Sequence, residues 1–309
     1  VSVDGVIQEP SVAYAVSSGT TLTFTAAPST NAGNNIFVYY LFRTVATVDH
    51  PATSALTATS GTFSTTLAST GNTTVGGSLG VGDNTPASFF AGARELVVGS
   101  GSGNQGMTIF SGASNTGNIK FADATTNDAT KTAGGIRYDH TNNFMRFDTN
   151  DGTERMKIDS TGAVTMPNQP AFHAHKNGTD QNNFATGGAT IVWAAERFDN
   201  NADFDLTENR FVAPVTGKYF LQVNVRFGAV DTAAAYYILE IITSNQNYNF
   251  IIDPNFSADL NYMTASVTVL ADMDASDTAI IAVNQNGGTA QTDIDGNQVY
   301  TWYSGHLVC

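Results

Sequence analysis

The chain has 309 residues, enough for about two domains, and carries 27 acidic against 13 basic side chains, a net charge of −14. So acidic a surface disfavours nucleic acid and anionic membranes as partners, because both are bound through basic patches. The sequence has no run of 18 apolar residues and a single cysteine, Cys309, so we expect neither membrane insertion nor an intrachain disulfide. The apolar segments are short, alternate with polar residues and end at Gly, Asn, Asp or Pro, which predicts an all-β protein.

Residues 1–43 predict a small N-terminal β-domain. A domain of this size is marginally stable alone, so we expect it to pack against copies of itself or a neighbour. Three segments resemble the small β-domain near the front of phage tail-fibre proteins: 3–10 (VDGVIQEP), 14–16 (YAV) and 23–28 (TFTAAP). The resemblance implies that residues 1–43 attach the chain to other tail or baseplate proteins of a virion.

Residues 44–71 form a connector rich in Thr, Ser and Ala. Its large apolar residues are too sparse for one chain to bury a core there. Three copies of this segment wound about a common axis would bury a shared core.

Residues 72–166 predict a shaft of short strands, because apolar side chains alternate there with basic ones. Each strand buries too little to stand alone, so we predict that three chains share an interior. Segments 72–82 and 154–162 also resemble shaft segments of phage tail fibres. The alternating apolar pairs are Ile119 and Phe121, Ile136 and Tyr138, Met145 and Phe147, and Met156 and Ile158, with Lys120, Arg137, Arg146 and Lys157 between them.

The clearest strand of the chain lies at residues 219–227. Its apolar side chains occupy every second position, which places one face of the strand in a core and leaves the other wet. A Pro and a Gly shortly before it are typical of an antiparallel sheet. The alternating apolar residues are Tyr219, Leu221, Val223, Val225 and Phe227.

Three motifs in the last 140 or so residues resemble the complement-C1q-like domain of the TNF superfamily. They are 169–174 (QPAFHA), 211–220 (FVAPVTGKYF) and 302–308 (WYSGHLV). The resemblance implies that residues 167–309 form a ten-stranded jelly roll that packs as a trimer. One departure is Tyr303, which stands where the family has Phe.

His173 and His175 form a His-x-His pair on a predicted strand, so both rings are expected on one face. Three chains around an axis would bring six imidazoles together, which suits a transition-metal ion. The alternative is two exposed polar residues opposite a core-facing Phe172. Apart from this possible metal ion, no cofactor is expected.

A receptor-binding segment is predicted in the C-terminal domain, at 245–249. Amides offer hydrogen bonds and a tyrosine offers a stacking surface, as in loops that contact sugars or proteins. An ordinary polar hairpin tip is the alternative. The candidate residues are Asn245, Gln246, Asn247, Tyr248 and Asn249.

These patterns together predict an elongated homotrimer, a tail fibre of a tailed bacteriophage, whose C-terminal jelly roll binds a host-surface glycan or protein. The alternatives are a connector or decoration fibre in which the jelly roll only clamps the trimer, and a secreted cellular C1q-like ligand. The absence of collagen Gly-x-y repeats and of paired cysteines counts against the secreted ligand. We expect no enzyme, because the sequence has no nucleophile elbow or paired catalytic carboxylates.

Overall fold

The computed structural model of the chain describes residues 1–18, 21–29, 33, 35–39, 71–184 and 186–309. Within these residues the protein is all-β, as predicted, and its helices are a single turn, α1 (Asp128–Lys131), and a 3-10 helix at Pro86–Ser88. The chain divides into two compact units, Val1–Leu79 and Gly80–Cys309. Apart from Gly71, the connector predicted for residues 44–71 lies outside the described residues.

The described residues of the first unit form five short strands: β1 (Ser2–Val3), β2 (Val6–Ile7), β3 (Tyr14–Ser18), β4 (Thr21–Phe24) and β5 (Ile36–Phe37). β1 pairs with β2 and β5, and β3 pairs with β4 in the hairpin that the sequence predicts. Asp4 and Gly5, both at positive φ, form the tight β1–β2 turn. No residue described between 1 and 79 is buried, so this unit leaves side chains such as Ile7 largely in solvent.

The second unit begins with a run of short strands. β6 pairs with β7, and β8 to β12 form an antiparallel meander in chain order. β8 to β11 lie where the alternating apolar pairs predict them, and each pairs with its neighbour in the sequence. The bounds are β6 (Leu79–Val81), β7 (Leu96–Val98), β8 (Thr116–Phe121), β9 (Gly134–Asp139), β10 (Phe144–Thr149), β11 (Thr153–Ile158) and β12 (Val164–Thr165).

The β8–β12 sheet has one charged face. Asp148 is buried there and pairs with Arg137, at 3.2 Å, and with Arg146. Arg146 also lies 3.5 Å from Glu154. These ion pairs neutralise the buried carboxylate of Asp148, although Arg137 Nε has no hydrogen-bond partner among the described residues.

The opposite face of the same sheet is apolar. The register aligns Ile119 with Ile136, Ile136 with Phe147, and Phe147 with Met156, so one row crosses four strands. Ile119 nevertheless remains 39% exposed. Phe121, which lies two residues after Ile119 on the same face of β8, is 59% exposed. We call this surface the apolar sheet face.

The rest of the second unit is a sandwich of two antiparallel sheets. One has the order β15-β13-β24-β18-β21, with β23 beside β18, and the other has the order β16-β17-β22-β19-β20, with β14 beside β22. The ten strands of the two main orders agree with the jelly roll expected for residues 167–309. The bounds are β13 (Ala171–His175), β14 (Ala189–Thr190), β15 (Ala195–Asp199), β16 (Phe204–Asp205), β17 (Arg210–Val212), β18 (Gly217–Val230), β19 (Tyr236–Thr243), β20 (Asn247–Ile252), β21 (Leu260–Met273), β22 (Thr278–Asn286), β23 (Asp293–Ile294) and β24 (Trp302–Leu307).

The core lies between these two sheets and confirms the alternation in β18. Its five predicted core side chains, Tyr219 to Phe227, are fully buried, whereas the residues between them are half-buried on the outer face. Across the sandwich, Phe172 of β13 stacks on Phe211 of β17 with ring centroids 4.8 Å apart. The Tyr219 hydroxyl donates a hydrogen bond of 2.8 Å to the Val215 carbonyl, which fixes the turn before β18.

Candidate functional site

The predicted receptor-binding segment is only partly a loop. β19 ends at Thr243 and β20 begins at Asn247, so Asn245 and Gln246 lie in the turn and the last three candidates lie in a strand. The loop predicted for 247–249 is therefore wrong. Pairing with β19 overrides the low strand propensity of asparagine there.

The five candidate residues do not form one surface of side chains that are all free to bind a ligand. The Asn245 amide already donates to the Asp272 carbonyl, at 3.0 Å, and to Asp277 Oδ2, at 2.8 Å. Tyr248 is half-buried and packs against the sandwich core, so its ring is not held out for stacking. Asn247 and Asn249 lie on the outer face of β20, opposite Ile242 and Glu240. The role of this segment in binding stays a prediction.

His173 and His175 lie on the same side of β13, with Phe172 buried on the other side, as predicted. The His173 ring stacks on Trp302, with centroids 5.5 Å apart, and also lies 6.1 Å from the Phe198 ring. Neither histidine is the exposed polar residue of the alternative interpretation, because His173 is half-buried and His175 is only 5% exposed.

The hydrogen bonding of His175 bears directly on the possible metal ion. Its Nδ1 accepts a hydrogen bond of 3.0 Å from the Asn177 backbone N–H, so the proton of the neutral ring lies on Nε2. Burial, and then the charge of Arg197, lower the pKa of both histidines, which keeps them neutral at pH 7. For His175 to bind a metal ion, that hydrogen bond would have to break. A metal ion shared among copies stays a prediction. No group of three or more His, Cys, Asp or Glu side chains in the described part of the chain is arranged to hold one.

A second cluster, which sequence reasoning did not assemble, lies at the end of the sandwich where β23 joins β18. Arg226 of β18 lies against the rings of Tyr262 and Tyr300, its guanidinium carbon 4.5 Å and 3.7 Å from the two centroids. Asp295 accepts hydrogen bonds from Arg226 Nε at 2.9 Å and Nη2 at 2.5 Å. Two aromatic rings and a carboxylate therefore fix one guanidinium group.

Two adjoining depressions of about 450 and 360 Å³ surround this cluster. Both are lined by Asp180 and Asp295, and we call them together the Arg226 cleft. Asp180 Oδ1 accepts a hydrogen bond of 2.6 Å from the Gly296 N–H, which joins the 177–183 segment to the loop after β23. A side chain at Gly296 would lie 2.3 Å from the Thr179 backbone, so only glycine permits this approach.

Local signals for the cleft existed in the sequence. The segment 293–297 (DIDGN) is similar to part of a calcium loop, and Tyr262 and Tyr300 belong to the aromatic residues that could contact a ligand. Their proximity to Arg226 depends on strand pairing between distant segments, which a single sequence does not reveal.

Among the described residues, no helix has the length and apolar character that crossing a membrane would require. No family model and no curated protein matches the chain. Among solved structures, the chain is similar to the globular domain of zebrafish complement 1qA protein, with 14% sequence identity and a TM-score of 0.34 over 46% of this chain and 98% of that one. It is also similar to murine APRIL, with 10% identity and a TM-score of 0.34 over 45% of this chain and 99% of that one.

Proposed function

We propose that this chain is a non-enzymatic, homotrimeric tail fibre of a bacteriophage. Its N-terminal unit attaches to other tail or baseplate proteins, its β8–β12 region belongs to a trimeric shaft, and its C-terminal sandwich binds the host cell surface. Three modest binding sites per fibre, and several fibres per particle, give useful avidity without a strong single contact.

The observation that carries the proposal is the apolar sheet face. Ile119, Phe121, Tyr138 and Met145 are 37–59% exposed on it, whereas Asp148 and Glu154 on the opposite face form ion pairs with Arg137 and Arg146. Exposed apolar area of this kind is costly in water, and burying one such side chain fully is worth about 1.5–3 kcal/mol. Copies of the same chain would cover the face symmetrically.

Two further features support assignment to a virion. Segments 3–10, 72–82 and 154–162 resemble parts of phage tail fibres. The first unit has no buried residue among those described, as expected for a segment that becomes stable only against copies or a partner protein.

The proposal is tested with the full chain and with the phage that carries it. Sedimentation equilibrium is expected to give three times the chain mass of 32.5 kDa. Antibodies against the purified chain are expected to label the tail in electron micrographs, and excess chain to block adsorption of the phage to its host. A monomer, or particles without label, would refute the proposal.

The connector or decoration fibre remains the second candidate, and one observation favours it. In the predicted receptor segment the Asn245 amide is already hydrogen-bonded and the Tyr248 ring packs on the core. If the chain labels the tail and is trimeric but neither binds host cells nor blocks adsorption, the sandwich is a trimer clamp.

A further inference from the structure

The Arg226 cleft has hydrogen-bonding groups that the protein itself does not use. Asp180 Oδ1 and Asp293 Oδ1 each accept a backbone N–H, at 2.6 and 2.7 Å, but within the described residues no hydrogen bond reaches the Oδ2 atom of either. The side-chain amides of Asn261 and Gln298, which also line the cleft, have no partner there either. The cleft therefore presents carboxylate acceptors and amide groups that both donate and accept.

The cleft also has an aromatic surface. The Tyr262 ring lines one of the two depressions and is 62% exposed, while its position is fixed by the contact with Arg226. Because Arg226 is itself held by Asp295, this ring needs little ordering when a ligand stacks on it. A preorganised ring beside free hydrogen-bonding groups suits the apolar C–H face and the hydroxyl edge of a sugar.

Charge narrows the class of ligand. Among the described residues, the lining contains three carboxylates, those of Asp180, Asp293 and Asp295, and one cation, that of Arg226. Asp295 already pairs with that cation. The excess negative charge repels sugars that carry carboxylate, sulfate or phosphate groups. None of the described lining residues has a large aliphatic side chain, which argues against a lipid or another apolar ligand.

We propose that the Arg226 cleft is a saccharide-binding site for neutral or amino sugars. Tyr262 supplies the stacking surface, and Asp180, Asp293, Asn261 and Gln298 bind the hydroxyl or amino groups. This inference rests on the proposed host-binding function and deepens it, because it assigns recognition to the Arg226 cleft instead of residues 245–249.

The test is binding of the labelled full chain, in the assembly that it forms, to an array of neutral, amino and acidic oligosaccharides. Tyr262→Ala is expected to weaken binding to the recognised neutral or amino glycan at least about tenfold, as loss of about 1.4 kcal/mol implies. Gln298→Ala is expected to weaken it several-fold. The Gln298 side chain has no hydrogen-bond partner among the described residues, so its loss is expected to leave the fold intact. Phe256→Ala removes an aromatic side chain of similar exposure, at 47%, outside the cleft and is expected to change nothing.

Binding only to acidic glycans, silence on the whole array, or equal binding by Gln298→Ala, Tyr262→Ala and the unaltered chain would overturn the saccharide site. These outcomes are distinct from failure of the proposed function, because trimer mass and tail labelling do not depend on the cleft. A trimer that labels the tail but binds no glycan removes the site and leaves the fibre.

Discussion

Gly305 of β24 lies directly against the ring of Phe172 in β13, so that a β-carbon on Gly305 would stand 2.7 Å from Phe172 Cε1 and 2.6 Å from Leu221 Cδ2. Gly305 belongs to the SGHL segment that resembles the last strand of C1q-like domains. Its presence therefore has a physical reason in this chain, since the space beside Gly305 is already filled by core side chains.

Gly305→Ala is expected to lower the free energy of unfolding of the sandwich by about 1–3 kcal/mol, the usual cost of overpacking a core. Urea unfolding followed by tryptophan fluorescence measures it. Gly106→Ala is the matched control, because a β-carbon there meets nothing within 4 Å. If the two variants had equal free energies of unfolding, the core side chains beside Gly305 would be able to rearrange and accommodate the added methyl group.

Removing the hydroxyl group is expected to have opposite effects on the free energy of unfolding at two buried tyrosines. The Tyr219 hydroxyl is hydrogen-bonded to the Val215 carbonyl, whereas the Tyr303 hydroxyl is buried without a partner among the described residues. Tyr219→Phe is expected to destabilise by about 1–2 kcal/mol, and Tyr303→Phe to stabilise by about 1 kcal/mol, because an unpaired buried hydroxyl keeps its desolvation cost. Both changes keep a fully buried ring, and urea unfolding of both variants compares them. A shift in the same direction for both would contradict this explanation.

The features that the sequence predicted depend on residues that are close together in the chain. Strand β18 follows from a period of two, which requires only neighbouring residues, and so does the placement of His173 and His175 on one side of β13. The Arg226 cleft was not predicted, because Arg226 and Asp295 are 69 positions apart and meet only through the pairing of β18 with β23. The burial of His175 was missed for the same reason, since the segments that cover it are distant in sequence.

Asp148 is expected to be the most sensitive charged residue of the β8–β12 sheet. Its side chain is fully buried between Arg137 and Arg146. Asp148→Asn leaves two guanidinium groups without their shared anion. A fully buried pair would cost about 3–5 kcal/mol, and the partial exposure of both arginines reduces the expected loss to about 2 kcal/mol. Asp151→Asn, in the exposed turn after β10, is the control for the same thermal unfolding measurement. An equal, small change in thermal stability in both variants would mean that water solvates the guanidinium groups of Arg137 and Arg146 once the Asp148 carboxylate is removed.

Asp231 is expected to make the stability of the sandwich depend on acid pH. The backbone N–H groups of Thr289 and Ala233, at 2.5 and 2.8 Å, lower the pKa of this buried carboxyl below its ordinary value of about 3.9. Because the folded-state pKa is the lower one, the ionised group stabilises the fold above about pH 4, and this contribution is lost as the pH falls through the folded-state pKa. Asp231→Asn is therefore expected to lower the Tm at pH 6 and to differ less from the unaltered chain near pH 2.5. Asp253→Asn, which removes an exposed carboxylate from the same sandwich, is the control for loss of one acidic side chain. A Tm difference for Asp231→Asn that is constant across this range would exclude the carboxyl charge as the cause.

Ile119 is expected to control assembly through the apolar sheet face. It aligns with Ile136 across β8 and β9 and is 39% exposed in the single chain. Ile119→Glu would place a carboxylate in the interior that copies of the chain share, and burying an unpaired charge costs far more than the apolar contact gains. The trimer is therefore expected to dissociate, as measured by light scattering across a concentration series.

Lys120→Glu makes the same new side chain on the opposite face of the same strand and should leave the trimer intact. A trimer that persists in Ile119→Glu would mean that the copies meet elsewhere, and dissociation of both variants would mean that added acidic charge, rather than the apolar sheet face, governs assembly.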